Sequence, residues 1–337
     1  MKNVLLTGGT GFVGANLALR LLREGHRVAL LVRPGRATWR IESFADDVAL
    51  VEADLTHAAS VAEAVRNVRP DWIFHLAAYG AYPQQRDLRT MHATNVAGLL
   101  NLVEAALAEG FEAFVNAGSS SEYGYKDFPP SEVEFVEPNS DYAWTKASAT
   151  QFCRSTAQRR GVCMPTLRLY SVYGPYEEPS RLLPTLIARG LRGELPPLAD
   201  PSAARDFIYV DDACDAFVRA ATHRGPDPGA VYNVGTGVQS TLADVVEIAR
   251  RLLPIRGEPS WGTMPNRSWD TSTWVANNAK IRSELDWLPR HTLDEGFASF
   301  VDWFVANPNL VARYGAGRAP RPVDVSSGAR GVPQGAG

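Results

Sequence analysis

The chain has 337 residues, which exceeds the ~250–300 residues at which a single hydrophobic core usually stops growing, so we expect two lobes. Hydrophobic residues make up 45% of the chain and charged residues 21%, as in soluble globular proteins. The net charge of −3 does not indicate a nucleic-acid partner, and no apolar run approaches the ~20 residues of a membrane helix. The three cysteines show no CxxC or Cys/His spacing. We therefore expect reduced thiols, a cytoplasmic location and no metal site.

Short apolar runs alternate with segments of helical periodicity through the first half of the chain. The predicted strands cover 3–7, 26–32, 48–55, 71–78, 111–119 and part of 162–174. Helical patterns follow the first strand and cover about 86–109 and about 142–160. Because the strands are apolar on both faces and helices separate them, the pattern predicts a parallel sheet covered by helices on both sides. The predicted fold class is therefore α/β, a doubly wound sheet of the Rossmann type.

The pattern changes just past the middle of the chain, where prolines cluster and the predicted elements become shorter. We assign residues 1–174 to the first lobe, together with return segments at about 206–240. Residues 175–205 and 241–312 are predicted to form a smaller, mixed C-terminal lobe that binds the substrate. The tail, 313–337, is rich in Gly, Pro and Ser and is predicted to be disordered.

The glycine-rich stretch TGGTGFVG follows the first predicted strand and opens a helix. Gly8, Gly11 and Gly14, spaced three residues apart, allow a tight bend and a close approach of the backbone to a ligand. The helix N-terminus that follows would stabilise the negative charge of a pyrophosphate. The turn therefore predicts an NAD(P)-binding first lobe. The predicted pyrophosphate contacts are Gly8, Gly11, Phe12, Val13 and Gly14.

The end of the second strand bears on the choice between NAD and NADP. An acidic residue there would accept hydrogen bonds from the ribose of NAD, but this sequence has Arg33 and Arg36. Arginine would pair with a 2′-phosphate, so the sequence favours NADP over NAD. Asp54 and Leu55 are placed to border the adenine. Further cofactor contacts are predicted at the end of the next strand, at Leu76, Ala77 and Ala78.

A tyrosine and a lysine four residues apart begin the helix predicted at 142–160. The spacing of Tyr142 and Lys146 puts both side chains on one face. A free tyrosine has a pKa of about 10, and a nearby ammonium favours the phenolate and lowers that pKa. Ser119, Ser120 and Ser121 end a predicted strand upstream, at the sheet edge where ligands bind in open parallel sheets. These residue types are suited to acid–base chemistry on a carbonyl or alcohol.

Together, the glycine turn, the serine-rich strand end and the Tyr/Lys pair resemble the extended short-chain dehydrogenase/reductase family, in its branch of nucleotide-sugar epimerases, dehydratases and ketoreductases. Later stretches of the sequence are similar to that branch as well: LRLYSVYGP, RDFIYVDDACDAF, YNVGTG and NRSWDTSTWVANNAKIRSELDWLP. The resemblance covers roughly residues 1–305. It implies a nucleotide-diphosphate sugar as substrate. It also implies a homodimer in which the helices predicted at 86–109 and 142–160 pair across a two-fold axis.

The resemblance also implies a role for each matching residue. Tyr142 would be the acid/base at the C4 oxygen of the sugar, and Lys146 would bind the nicotinamide ribose and lower the pKa of Tyr142. Ser119, or Ser120 if the loop is one residue shorter, would hold the same oxygen. The predicted substrate contacts are Ser121, Glu122, Ser171, Arg205, Asn233 and Arg267. For Arg205 the alternative is an internal ion pair with Asp206.

The sequence departs from the pattern of the branch at the serine loop. Dehydratases need a second acid/base group there, and in an ungapped comparison the only acid, Glu122, lies one position late. A gap in the comparison would restore it. Ser171 and Asn277 also stand where the branch usually has asparagine and aspartate.

These departures favour hydride transfer at C4 without loss of water. Reduction of a 4-keto-6-deoxy nucleotide sugar is the preferred interpretation. A 4-epimerase uses the same Tyr, Lys and Ser, so it remains an alternative, as does a 4,6-dehydratase. A reductase of a non-sugar ketone and a non-catalytic NADP-binding sensor are less favoured.

Overall fold

The computed structural model describes residues 1–35, 38–82, 84–264 and 273–315. The strands are β1 (Asn3–Thr7), β2 (Arg27–Val32), β3 (Ala49–Glu52), β4 (Trp72–His75), β5 (Ala113–Ser119), β6 (Thr166–Leu169), β7 (Ser171–Tyr173), β8 (Ala204–Arg205), β9 (Phe207–Tyr209), β10 (Val231–Val234) and β11 (Ser240–Thr241). The helices are α1 (Phe12–Arg23), α2 (Ala58–Val68), α3 (Leu88–His92), α4 (Gly98–Glu109), α5 (Asp141–Arg160), α6 (Leu182–Gly190), α7 (Val210–Thr222), α8 (Leu242–Leu252), α9 (Ala279–Leu285), α10 (Leu293–Ala306) and α11 (Pro308–Gly315).

Seven strands of the described chain form one parallel sheet in the order β3-β2-β1-β4-β5-β6-β10. This confirms the prediction of a Rossmann-type doubly wound sheet. The order reverses between β1 and β4, and the two connections that leave these strands run in opposite directions. Such a reversal opens a crevice at the carboxyl ends of the strands, which is where ligands bind in folds of this kind.

Two apolar clusters cover the two faces of the sheet. On one face, Phe74 of β4 packs against Phe217 of α7 with ring centroids 6.2 Å apart, in a cluster that includes Leu17 of α1. On the other face, Leu102 of α4 and Cys153 of α5 are fully buried in the second cluster. The inner strands β1, β4 and β5 are buried because both of their faces carry apolar residues, whereas the edge strand β3 is largely exposed.

A third apolar cluster lies apart from the main sheet, around α6, α8 and α10. It contains Leu186, Val245 and Phe300, all fully or nearly fully buried. Two small sheets stand beside it, one pairing β7 with β9 and the other pairing β8 with β11. The division of the chain into 1–174, a substrate lobe and return segments stays a prediction. The tail that was predicted to be disordered begins at residue 313, which the structure places inside α11. The rest of the tail, 316–337, lies outside the described residues.

Several predicted boundaries differ from the structure. The helix predicted at 86–109 is interrupted at Ala93–Ala97, where one π-helical turn separates α3 from α4. Helix α5 begins one residue earlier than predicted, because the Ser140 side chain accepts a hydrogen bond from the Ala143 N–H and caps it. Among the described residues, no helix is long and apolar enough to cross a membrane.

Candidate active site

The glycine turn after β1 leaves no room for side chains. Gly8 has a φ of +73°, and a Cβ built there would lie 2.6 Å from the backbone of Leu76 and Ala77 on the neighbouring strand end. A Cβ at Gly14 would overlap the Gly8 carbonyl oxygen. That same oxygen accepts a hydrogen bond from the Gly11 N–H at 2.9 Å. The turn is therefore closed by backbone contacts that any other residue would break.

The N-terminus of α1 is free to receive an anion. Its N-cap is Gly11, which has no side chain to occupy the first N–H groups, and the first turn contains no acidic residue. The N–H groups of Phe12, Val13 and Gly14 lie in this turn, where the helix dipole favours negative charge. The residues present thus fit the pyrophosphate of a dinucleotide.

At the adenosine end of the predicted cofactor site, Arg33 and Asp54 lie close enough for their charges to interact. The Asp54 carboxylate accepts hydrogen bonds from the Thr56 N–H and hydroxyl at 2.9 and 2.8 Å. Partial burial opposes ionisation of Asp54, but these hydrogen bonds and the charge of Arg33 lower its pKa. Arg33 is exposed and Leu55 is buried against Gly98. Arg36 lies outside the described residues.

The carboxyl end of β4 brings Leu76, Ala77 and Ala78 alongside the glycine turn, and all three are partly exposed. The Ala77 N–H donates to the Thr7 hydroxyl at 3.2 Å. That hydroxyl also lies 2.8 Å from Nδ1 of His75. Burial, with a contribution from the charge of Lys146, lowers the pKa of His75 to about 3. His75 is therefore a neutral residue between two strands.

The predicted acid–base residues meet at the carboxyl end of β5. Tyr142 lies in the first turn of α5, partly exposed, and Ser119 lies near its phenol. Lys146 is one turn further along the same face, with its Nζ 5.9 Å from the centre of the Tyr142 ring. The ammonium is buried and donates to the Ala117 carbonyl at 2.8 Å. The structure thus brings the tyrosine, the lysine and one serine together.

Burial dominates the electrostatics of this group. It raises the pKa of Tyr142 above its ordinary value, whereas the sequence analysis expected Lys146 to lower it, and the negative charge of Glu122 also acts to raise it. Among the positive charges, that of Arg181 opposes this rise most strongly. Burial lowers the pKa of Lys146 to about 8, although Glu122 opposes the change. At neutral pH Tyr142 is protonated, as the donor of a proton must be.

Three serines lie in the segment Ser119–Tyr123, called the catalytic loop for its predicted role, and they have different positions. Ser119 ends β5, and its hydroxyl accepts from the Ser121 N–H at 3.2 Å and lies 2.8 Å from the Ser121 hydroxyl. Ser120 is buried in the 3₁₀ turn that follows and faces a crevice lined by Phe128, Tyr170 and Trp274. Of the three, Ser119 is the serine that lies near the phenol of Tyr142.

Glu122 does not face this crevice, in contrast to the expectation for a substrate contact. It is 0% exposed, and its carboxylate accepts hydrogen bonds from the Ser119 N–H, the Thr150 hydroxyl and the Arg168 guanidinium. A carboxylate in this position needs such partners, because an unpaired buried charge is costly. The gap that would turn Glu122 into a dehydratase acid is thus not supported by its position.

Asn233 likewise departs from its predicted role as a substrate contact. It is 0% exposed in β10, where its side chain accepts from the Tyr123 hydroxyl at 2.7 Å. Its amide donates to the carbonyls of Pro130 and Asn277 at 2.9 and 3.0 Å. With both ends of the amide occupied, Asn233 joins three segments of the interior and presents no free group to a ligand.

The other predicted substrate contacts lie nearer the surface. Arg205 is partly exposed, with its guanidinium 5.3 Å from the Trp274 ring and one nitrogen bonded to the Ala204 carbonyl. The Asp206 carboxylate accepts from the N–H groups of Thr236, Gly237 and Ala276 and from the Thr236 hydroxyl. Ser171 is partly exposed at the start of β7. Arg267 lies outside the described residues.

Three residues that support the site were missed by the sequence analysis. Asn95, in the π-helical turn, exchanges hydrogen bonds with the backbone of Tyr79 and donates to the Thr145 hydroxyl. Arg181 lies in the loop before α6, and its guanidinium donates to the Ala81 carbonyl at 3.2 Å. The third is Arg168, the partner of Glu122. These contacts span 16 to 100 residues, and no local pattern signals them. No cluster of potential metal ligands occurs in the described ranges.

Comparisons with known proteins show which family this chain is similar to. A model of the NAD dependent epimerase/dehydratase family matches residues 4–235. The UDP-glucose 4-epimerase of Mycolicibacterium smegmatis is 32% identical over 310 residues, which cover 89% of this chain and 97% of that protein. A longer relative in Arabidopsis thaliana, the trifunctional UDP-glucose 4,6-dehydratase/UDP-4-keto-6-deoxy-D-glucose 3,5-epimerase/UDP-4-keto-L-rhamnose-reductase RHM1, is 26% identical over 341 residues, which cover 95% of this chain and 50% of that protein.

Among solved structures, MoeE5 in complex with UDP-glucose and NAD has a TM-score of 0.78 and 30% identity, and the match covers 91% of this chain and 99% of that one. The family model matches well over half of the chain. The chain belongs to the NAD-dependent epimerase/dehydratase family.

Proposed function

We propose that the protein transfers a hydride at C4 of a nucleotide-diphosphate sugar, and that its reaction is the reduction of a 4-keto-6-deoxy nucleotide sugar. The observation that carries the proposal is the meeting of Tyr142, Ser119 and Lys146 at the carboxyl end of β5. This edge also carries the glycine turn and the open N-terminus of α1. A dinucleotide held there would supply the hydride.

The residues of this group divide the work on the C4 oxygen. Tyr142, kept protonated by burial, donates its proton to the oxygen as negative charge develops on it. Ser119, which lies near the phenol, donates a second hydrogen bond to the same oxygen. Lys146 binds the ribose of the cofactor, and its positive charge helps Tyr142 to release the proton.

The position of Glu122 supports hydride transfer over dehydration. Loss of water from C5 and C6 needs an acid and a base on the sugar side of the loop. The one carboxylate of this loop points into the core, where Arg168 and the Ser119 N–H hold it. No other residue of the Ser119–Tyr123 stretch carries an acidic side chain.

Substrate recognition is assigned to polar groups near the crevice. Arg205 is suited to a diphosphate, because a guanidinium pairs with two phosphate oxygens at once. Ser121 and Ser171, which are both partly exposed, are assigned to the sugar. A non-sugar ketone would offer nothing for Arg205 to bind, and a sensor without catalysis would not need all three of Tyr142, Lys146 and Ser119.

A 4-epimerase is the second candidate, because the M. smegmatis UDP-glucose 4-epimerase is similar along nearly its whole length. That reaction would use the same three residues. Tyr142 would first accept the proton of the C4 hydroxyl and then return it to the C4 oxygen. The epimerase reaction consumes no cofactor overall, whereas the reduction consumes one reduced cofactor for each sugar.

The test is a panel of UDP-, dTDP-, CDP- and GDP-hexoses and their 4-keto-6-deoxy forms, incubated with NADPH or NADH. The reductase proposal predicts oxidation of the cofactor in equal amount to a 4-hydroxy product, identified by mass and NMR. Interconversion of 4-hydroxy epimers without net cofactor change would instead establish the epimerase. A mass loss of one water from a hexose would overturn both, and Tyr142→Phe serves as the inactive control.

A further inference from the structure

Glu122 belongs to the catalytic loop, and its buried carboxylate contacts three elements at once. One carboxylate oxygen accepts hydrogen bonds from the Ser119 N–H at 2.9 Å and from the Thr150 hydroxyl of α5 at 3.0 Å. The other accepts from Nε of Arg168 in β6 at 2.9 Å. The carboxylate therefore ties the backbone of the catalytic serine to a helix and to a strand.

The neighbouring strand makes space for this carboxylate. Gly118 lies beside Arg168 in the pairing of β5 with β6. A Cβ built on Gly118 would lie only 2.8 Å from the Glu122 carboxylate oxygen. A side chain at this position would push the carboxylate away from the Ser119 N–H. The absence of a side chain at Gly118 is thus part of the same arrangement.

The carboxylate is also the negative charge next to the catalytic lysine. Lys146 donates to the Ala117 carbonyl, one residue before Gly118, so both charged groups lie against the same short stretch of β5. Thr150 follows Lys146 by one helical turn. With Arg168 on its other side, Glu122 stands between two buried cations. Its removal would take away the carboxylate that hydrogen-bonds to Arg168 and the negative charge that stabilises the ammonium of Lys146.

Several titratable groups surround the acid–base pair. Tyr142 is faced by Glu122 from the catalytic loop, by Tyr82 from the segment after β4 and by Arg181 from the loop before α6. Lys146 is faced by Glu122, by the neutral His75 of β4 and by the Cys153 thiol, whose pKa burial raises to about 12. At neutral pH Tyr82 and Cys153 are neutral, so Glu122 is the anion of this set.

We propose that Glu122 is a positioning residue that touches neither cofactor nor substrate, fixes the catalytic serine and sets the pH range in which Tyr142 and Lys146 work. The part that concerns turnover rests on the proposed function. The part that concerns Lys146 and cofactor binding does not depend on which sugar is used.

The sign of the effect is the same for both catalytic groups. The charge of Glu122 stabilises the ammonium of Lys146, so its loss lowers a pKa that burial has already brought to about 8. The same charge repels the phenolate of Tyr142, so its loss lowers that pKa too. Reduction needs a protonated Tyr142 and a charged Lys146. Without the carboxylate, both requirements fail at a lower pH.

The experiment compares the protein with Glu122→Gln, which keeps the shape of the side chain and removes the charge. Dissociation constants for NADPH, measured by its fluorescence from pH 6 to 10, and the pH profile of turnover are the readouts. We expect the alkaline midpoint of both profiles to move down by about one pH unit or more, the usual size of the effect of a close charge. A purely structural role predicts lower thermal stability with unchanged midpoints, and that result would overturn the proposal.

Two further variants separate charge from hydrogen bonding. Thr150→Val removes one hydrogen bond to the carboxylate and leaves the charge, so its midpoints should match those of the unmodified protein. The double variant Glu122→Gln/Arg168→Met removes one charge of each sign. Its alkaline midpoints for NADPH binding and turnover should therefore return most of the way to those of the unmodified protein. A double variant that keeps the full shift of Glu122→Gln would contradict the electrostatic explanation.

Folding of the single variant is the remaining risk, because Arg168 would be left buried without its partner. If Glu122→Gln does not fold, Arg168→Met alone gives the opposite test. It leaves the charge of Glu122 less neutralised, so the midpoint for NADPH binding must move up, and an unmoved midpoint would count against the proposal. If no sugar is turned over but the NADPH midpoint shifts as expected, the proposed reaction fails and the role of Glu122 stands.

Discussion

Around the glycine turn the tight contacts join backbone to backbone, whereas around the catalytic loop they join side chains from several elements. At the turn, Gly8 meets the strand end of Leu76 and Ala77, and Gly14 meets Gly8. At the loop, Glu122, Thr150 and Arg168 meet under Ser119. The glycine turn depends on positions that have no side chain, whereas the catalytic loop depends on the identity of the side chains that meet there.

This difference determines how each region should fail. A substitution at the turn should damage cofactor binding and stability together, because the backbone itself must move. A substitution at the loop should separate them, since the fold can survive while the chemistry changes. The predictions below use this contrast, from the largest expected effect to the smallest.

The largest effect is expected for Tyr142→Phe, which keeps the ring and removes only the hydroxyl. Turnover should fall by ~10²–10⁴-fold, the usual contribution of a positioned acid–base group. Thermal stability and NADPH affinity should stay near those of the unmodified protein. Steady-state kinetics on the substrate found by the panel give the measurement. A variant that keeps more than about a tenth of the turnover would show that Tyr142 is not the general acid.

The next effect is expected for Gly14→Ala, where the added Cβ would overlap the Gly8 carbonyl oxygen. Stability should fall by about 1–3 kcal/mol, as in other overpacked sites, and the affinity for both cofactors should fall with it. Denaturant unfolding and a fluorescence titration give the two numbers. Gly257→Ala is the matched control, since nothing lies within 4 Å of its Cβ position. Normal cofactor binding by Gly14→Ala would contradict the close approach at the turn.

A smaller effect is expected for Arg33→Asp. If Arg33 meets a 2′-phosphate, NADPH should bind more tightly than NADH, and the variant should lose about tenfold of this preference, the size of one charged hydrogen bond. Arg27→Asp makes the same change of charge at the opposite end of β2 and should not alter the ratio. Equal affinities for NADPH and NADH in the unmodified protein would overturn the NADP assignment.

The smallest effect on activity is expected from the helices outside the cleft. Leu88, Leu100 and Trp144 are 47%, 39% and 48% exposed on α3, α4 and α5, as expected for an apolar surface that a second copy would cover. We predict a homodimer by light scattering at micromolar concentration. Leu100→Glu should shift it towards monomer, whereas Leu50→Glu on the edge strand β3 should not. A monomeric mass for the unmodified protein would contradict the prediction.

The contrast between the two regions also explains what the sequence could predict. The order of strands and the place of the glycine turn follow from local patterns, because an alternation of buried strands and helices allows few arrangements. The sequence could also predict the acid–base group. Tyr142 and Lys146 lie four residues apart on one helix, and Ser119 lies at the end of one strand, so local patterns define all three.

The surroundings of that group could not be predicted in the same way. Glu122 and Asn233 have the polarity of ligand contacts, and only the structure shows that their partners are Arg168 and Tyr123, far away in the chain. Arg181 affects Tyr142 across a distance of 39 positions for the same reason. Polar residues that satisfy one another in the interior look, in a sequence, like polar residues that await a substrate.

The π-helical turn at Ala93–Ala97 has a consequence for the phase of the helix that contains it. One extra residue in a helical turn rotates everything beyond it by about 100° around the axis. Before the π-helical turn, α3 places Met91 against Gly80, next to the ring of Tyr142. After the turn, α4 places Leu99 and Leu102 in the core beneath the sheet. The π-helical turn thus lets α3 and α4 direct different faces towards their neighbours. Deletion of one residue from the turn would rotate α4 relative to α3, so that the Met91 contact and the core packing of Leu99 and Leu102 could not both be kept.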